Sequence, residues 1–188
     1  MTDQLRVLVI CGSLRKGSYN AGLARSLPSL APPELTFVEA PPFETIPLYN
    51  YDIQAAAGFP PAVETWAEAI RAADGVVIVS PEYNWSIPGP LKNALDWVSR
   101  MKDNPFKDKP VALQSASTGQ VGGARMQYHL RMVLTSIDAL IMGRPEIFVN
   151  FAAKKFDEKL VELIDEPTRE IVKLQLATFA KFIRRVRD

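Results

Sequence analysis

Two short runs of the chain are apolar at nearly every position, a third is apolar through its first half, and each ends in small or polar residues. They are Leu5 to Cys11 (LRVLVIC), Gly75 to Ser80 (GVVIVS) and Val111 to Ser117 (VALQSAS). Continuous apolarity over so few residues, rich in β-branched side chains, marks strands buried on both faces rather than the half-exposed alternation of an antiparallel sheet. Leu35 to Val38 and the Ile141 to Val149 region are weaker strand candidates, the second interrupted by Gly143 and Pro145. Between these runs the apolar spacing becomes helical. Ser18 to Leu27 is a short helix expected to end before Pro28, and Pro61 to Ala73 opens on a proline suited to a first turn and closes at Asp74-Gly75. Leu91, Leu95 and Val98 line one face of Pro88 to Met101, while Met126, Leu130, Val133 and Ile137 line one face of the helix from Gly123 to Ile137. Val172, Leu176, Phe179, Ile183 and Val186 make a C-terminal stripe opposed by Lys181, Arg184, Arg185 and Arg187.

Strands alternating with helices predict an α/β fold, a doubly wound parallel sheet of five strands with five helices on its two faces. Residues 1–188 are read as a single domain, since the length fits one core and leaves little for a second. Eight prolines between Pro28 and Pro61 make that segment an irregular connection around the second strand.

Composition narrows the function. Lys plus Arg number 22 against 21 Asp plus Glu, a formal charge of +1, so bulk electrostatics give no support to a nucleic-acid partner. One cysteine, Cys11, rules out an internal disulfide, and with the lone His129 it leaves no typical zinc ligand set, so no metal is assigned. The apolar runs are far shorter than a membrane span, and no signal-peptide pattern precedes them, so the chain is expected to be cytoplasmic, with no membrane partner.

In an open parallel sheet, ligands bind beyond the carboxyl ends of the strands, where the strand order reverses. If the order is 2-1-3-4-5, strands one, three and four lie side by side and three loops converge there. The first, Gly12 to Asn20 (GSLRKGSYN), joins a buried strand to a helix start, so free amides, Ser13, Ser18 and Asn20 and the charge of Arg15 outline a phosphate site. The same residues could make an ordinary turn in which Ser18 caps the helix. Ser18 stands where a Walker A loop needs lysine, and Leu14 breaks the dinucleotide pattern G-x-G-x-x-G. Gly17 occupies the position where a Cys-based phosphatase cradle starting at Cys11 would place its arginine, so Cys11 is read as a small core residue. The second loop, Pro81 to Pro90 (PEYNWSIPGP), is stiffened by three prolines and offers Tyr83 and Trp85 as flat faces for a planar ring; it could also serve only for packing. The third, Ser115 to Gly123 (SASTGQVGG), has three glycines that permit close backbone approach, or a flexible crossover.

Together these motifs resemble the NADPH-dependent FMN reductase family, flavodoxin-like flavoproteins that include quinone, chromate and azo-dye reductases. The resemblance rests on Gly12-Ser13-Leu14-Arg15 with Ser18 and Asn20, on Pro81-Glu82-Tyr83-Asn84 with Pro88-Gly89, and on Gly119 to Gly123. It implies a flavodoxin-like fold with bound FMN and either NADPH or NADH as co-substrate. Ser13, Arg15, Ser18 and Asn20 would hold the FMN phosphate, with Tyr19 in the same loop. Pro81, Glu82, Tyr83 and Asn84 would line the flavin ring, and Ser117, Thr118 and Gly119 would approach from the third loop. The implied reaction is ping-pong transfer of two electrons from NAD(P)H through FMN to small-molecule acceptors such as quinones, flavin, chromate or azo compounds. No separate catalytic side chain is needed, which suits a chain whose only histidine lies outside the loops. The family also implies a homodimer or homotetramer, for which Trp97, Met101, Met126 and Tyr128 are candidate contacts, although each could instead be internal core. A flavodoxin-like one-electron carrier and a non-redox phospholigand-binding module are the competing readings.

Overall fold

The computed structural model describes residues 4–159 and 162–187. In chain order the elements are β1 (Leu5–Cys11), α1 (Tyr19–Leu30), β2 (Leu35–Glu39), α2 (Tyr51–Ala57), α3 (Pro61–Arg71), β3 (Gly75–Val79), α4 (Gly89–Val98), β4 (Pro110–Ala116), α5 (Ala124–Thr135), β5 (Leu140–Ile141), β6 (Ile147–Val149), a 3-10 turn (Ala152–Lys154) and α6 (Glu166–Arg187). The strands form a parallel sheet of order β2-β1-β3-β4-β5, with β6 also paired to β4. This is the flavodoxin-like arrangement.

Both faces of the sheet are covered, which is why the strand sequences are continuously apolar. On one face Leu8, Ile10, Val76, Ile78 and Leu113 pack against Trp66 and Ile70 of α3, Leu91 and Leu95 of α4 and Leu130 of α5. On the other, Val7, Val9, Val77, Val79 and Ala112 meet Leu23 and Leu27 of α1 and Leu176, Phe179 and Ile183 of α6. Cys11 pairs with Val79, and Val79 with Gln114, so β1, β3 and β4 end close together. That places the loops after them side by side. No helix among the described residues is long and apolar enough to cross a membrane.

Four expectations need correction. Helix α1 does not stop before Pro28 but runs through it to Leu30. Leu23, Leu27 and Leu30 are all buried on the core side, and that packing holds the last turn despite the missing amide. Within the proline-rich segment lies α2, capped by the Asn50 side chain, which accepts from the Asp52 amide, and ended by Gly58 at φ 77°. It buries no residue, so it carries no apolar stripe to read. The fifth strand is split into β5 and β6, which pair with the start and the end of β4 respectively. Trp97 and Met126 are fully buried in the core and so are not surface contacts, while Tyr128 is exposed.

Candidate functional site

The first loop leaves β1 at Gly12, whose amide donates to Val79 O at 2.9 Å. A Cβ on Gly12 would lie 2.5 Å from Ser80 Oγ, so glycine is what lets the ends of β1 and β3 approach. Ser18 is extended and caps α1, its hydroxyl oxygen accepting from the Ala21 amide at 3.3 Å. Among the described residues the amides of Gly17, Tyr19 and Asn20 have no acceptor within the chain. They stand at the positive end of the α1 dipole, beside the exposed side chains of Arg15 and Lys16. Asn20 itself is buried and turned to the sheet: its amide nitrogen donates to Ala116 O at 2.9 Å, and its oxygen accepts from Ala116 N at 2.8 Å. It ties the first loop to the end of β4.

In the second loop, Tyr83 and Ser86 exchange two backbone hydrogen bonds of 3.0 and 2.9 Å around a two-residue turn. The central residues, Asn84 and Trp85, have φ of 48° and 68°. Neither is glycine, and a left-handed L-residue costs about 1–2 kcal/mol, so the turn needs support from outside. Helix α5 supplies it. Glu82 accepts from the Met126 amide at 3.1 Å and pairs with Arg125 at 3.7 Å, the Arg125 guanidinium lies 4.7 Å from the Trp85 ring centroid, and His129 Nδ1 is 3.1 Å from Ser86 Oγ.

The third loop is not a flexible crossover. Gly122 and Gly123 have φ of 62° and 89°, and Cβ atoms there would meet the Phe148 carbonyl carbon at 2.7 Å and the Ser115 side chain at 2.8 Å. Ser115 Oγ donates to Gly122 O at 2.6 Å, and Gln127 Nε2 donates to Ser115 Oγ and to Ile147 O, both at 2.8 Å. These two glycines thus permit a close approach to the chain's own β4 and β6. Nearer the sheet, the Ser117 amide donates to Val149 O at 2.9 Å, and the Gly119 amide to Ser117 Oγ at 3.0 Å.

Between the loops lies a cleft of about 520 Å³. Ser13, Arg15, Gly17, Ser18, Tyr19 and Asn20 line it from the first loop, Pro81, Glu82 and Tyr83 from the second, and Ala116, Ser117 and Thr118 from the end of β4 and the third. One end is rich in donors and cationic. The other is walled by an aromatic side chain. A groove of about 840 Å³ runs along α3 past Arg71 and Asp103, and none of the three loops lines it. Cys11 lies in a separate recess of about 250 Å³ behind Ser13. Burial pushes its thiol above the ordinary value.

Residues 5–154 match the profile of the NADPH-dependent FMN reductase family. The chain belongs to that family. It is 49% identical over 187 residues to a quinone reductase of Escherichia coli K12, with 100% of both chains covered. An NAD(P)H-dependent FMN reductase of Pseudomonas aeruginosa is 44% identical over 187 residues, again with 100% of both covered. The solved structure of FerB, a flavoenzyme NAD(P)H:(acceptor) oxidoreductase from Paracoccus denitrificans, superposes with a TM-score of 0.86 at 33% identity, covering 96% of this chain and 98% of that one. The protein is therefore an oxidoreductase of an FMN- and NAD(P)H-dependent family.

In this FMN reductase family member, ten of the twelve residues singled out from the loops line one cleft. Asn84 sits instead at the exposed tip of its turn, and Gly119 lies beyond Thr118, outside the lining. Sequence reading missed Arg125 altogether and left His129 without a role. Their spacing of four on α5 is a usable signal that both can face one neighbouring loop. Nothing local says which loop.

Proposed function

We propose that the cleft is the FMN site and that the protein passes two electrons from NAD(P)H to quinones or similar small acceptors by a ping-pong route. The observation that carries this reading is the meeting, in one cleft, of unpaired helix amides beside Arg15 with the aromatic wall at Tyr83. A donor set without its own acceptors suits a phosphate, and a stiff aromatic loop suits a planar ring. The amides of Gly17, Tyr19 and Asn20, with Arg15, would take the FMN phosphate; Ser13 and Ser18 add hydroxyl donors. Pro81, Glu82, Tyr83 and Asn84 would border the ring on one side, with Ser117, Thr118 and Gly119 on the other. Bound flavin supplies hydride acceptance and electron release, so the protein's part is to hold, orient and shield. A single cleft would serve reductant and acceptor in turn, which is the basis of the ping-pong proposal. Exposed Tyr83 and Trp85 on the second loop and Tyr128 and Met132 on α5 leave apolar surface, consistent with a homodimer or homotetramer.

The test is anaerobic. NADPH or NADH added to the FMN-loaded protein should bleach the flavin, and menadione should restore the colour, with parallel double-reciprocal lines in the steady state. Failure of both nucleotides to bleach it would favour an electron carrier instead. Arg15→Ala should weaken FMN binding by roughly ten- to hundredfold, the value of one charge-assisted contact of about 1.5–3 kcal/mol. An unchanged fluorescence titration would remove Arg15 from the site.

A further inference from the structure

The chain leaving β6 closes on the third loop at three points. The Ala152 amide donates to Ser117 O at 3.0 Å, the Phe151 amide to Gly119 O at 3.2 Å, and Asn150 Nδ2 to Gln120 O at 3.2 Å. Two of these bonds are backbone, but the third depends on which way the Asn150 carboxamide is turned. Lys155 decides that. Its Nζ donates to Asn150 Oδ1 at 3.2 Å and to Thr168 Oγ1 at 3.1 Å, with Asp165 Oδ2 at 3.7 Å. An ammonium can only donate, so the carboxamide must face it with its oxygen, which leaves the amino end toward Gln120. The far side is fixed as well: Thr168 gives its hydroxyl proton to Asp165 Oδ2, and its oxygen accepts from Lys155.

Helix stability does not explain this lysine. Asp165 precedes α6 and already caps it, accepting from the Thr168 amide at 3.1 Å, whereas a cation beside a helix start opposes the dipole. Lys155 also lies just beyond the segment 5–154 that matches the family profile. We propose that Lys155 is a positioning residue: through Asn150 it anchors the third loop to the start of α6, and so sets the wall of the cleft made by Ser117 and Thr118. The proposal rests on the reading of the cleft as the flavin site, because there those two residues would border the ring. Lys155 and Asn150 are both absent from the cleft lining, so their effect on a ligand passes through the loop.

Two variants separate this role from simple packing. Lys155→Met keeps most of the side chain's length and removes its charge, while Asn150→Asp keeps an acceptor for Lys155 and removes the donor to Gln120. In the full-length apoprotein, both should speed hydrogen exchange of the Phe151 and Ala152 amides by roughly three- to tenfold, the equivalent of one ordinary hydrogen bond. In fluorescence titrations both should weaken FMN binding by a similar factor. Lys155→Met made in an Asn150→Ala background should add less than about twofold. Wild-type exchange and FMN affinity in Asn150→Asp would overturn the proposal, and so would a full additional loss from Lys155→Met in the Asn150→Ala background. Should Lys155→Met not fold, Asn150→Asp, which leaves Lys155 paired, still decides. Failure of wild-type protein to bind FMN would instead overturn the reading of the cleft, and exchange in the apoprotein would still show whether Lys155 anchors the loop.

Discussion

Asn20→Ala should destabilise the protein by about 2–4 kcal/mol and lower its affinity for FMN as well. Ala116, the last residue of β4, pairs with Val149 of β6 on one side. On the other side β3 has already turned away, since the Ser80 amide donates to Gln114 O and the chain then leaves the sheet at Pro81. The amide and carbonyl of Ala116 that face this gap are buried, and the Asn20 carboxamide occupies it as a one-residue substitute for a strand, donating at 2.9 Å and accepting at 2.8 Å. Truncation strands one buried donor and one buried acceptor, at about 1–3 kcal/mol each before any water enters. Asn20→Asp keeps the acceptor but sets a carboxylate against Ala116 O, so it should be no better tolerated than alanine. Urea unfolding measures the loss. A change below about 0.5 kcal/mol would mean that water restores both bonds and that the tie is dispensable. Because Asn20 lies in the first turn of the helix whose amides face the cleft, loosening it should also be felt in an FMN titration.

Gly122→Ala is expected to cost about 3 kcal/mol, while Gly119→Ala in the same loop should cost less than about 0.5 kcal/mol. Gly122 is left-handed at φ 62°, and its added Cβ would lie 2.7 Å from the Phe148 carbonyl carbon, 2.8 Å from its oxygen and 3.0 Å from the Asn150 amide nitrogen. All three are backbone atoms of β6 and the residues after it, so no side-chain rotation gives relief. Strain in φ contributes about 1 kcal/mol and displacement of β6 the rest. Gly119 has no such backbone demand, and its nearest neighbour would be Ser117 Oγ at an ordinary 3.4 Å. At this chain length 1 kcal/mol moves the melting temperature by about 2–4 °C, so thermal melts should separate the two variants by several degrees. Equal melting temperatures would show that β6 yields easily and that the third loop is not clamped by its contact with Gly122.

The sequence by itself determined those parts of the protein whose signals are local. A strand covered on both faces is mostly apolar, so β1, β3 and the first half of β4 were legible, and with them the parallel sheet, while the 2-1-3-4-5 order came with the family resemblance. The first loop was legible for the same reason, because a strand, a Gly-Ser turn and a serine cap are contiguous. What lay outside its reach depends on neighbours distant along the chain. Pro28 stays helical because Leu30 has a core to enter, and α2 escaped notice because none of its side chains does. Gly122 and Gly123 were visible as glycines, but only packing shows that the chain's own strands, not a ligand, press against them. Asn20 reads as a phosphate donor until Ala116, 96 residues away, is seen to take both ends of its amide. Arg125 lies 40 residues beyond Trp85 with nothing between to connect them. Local propensity is written into a few adjacent residues, whereas which surfaces close on each other follows from how the sheet and helices pack as a whole, and that was decided only in the tertiary structure.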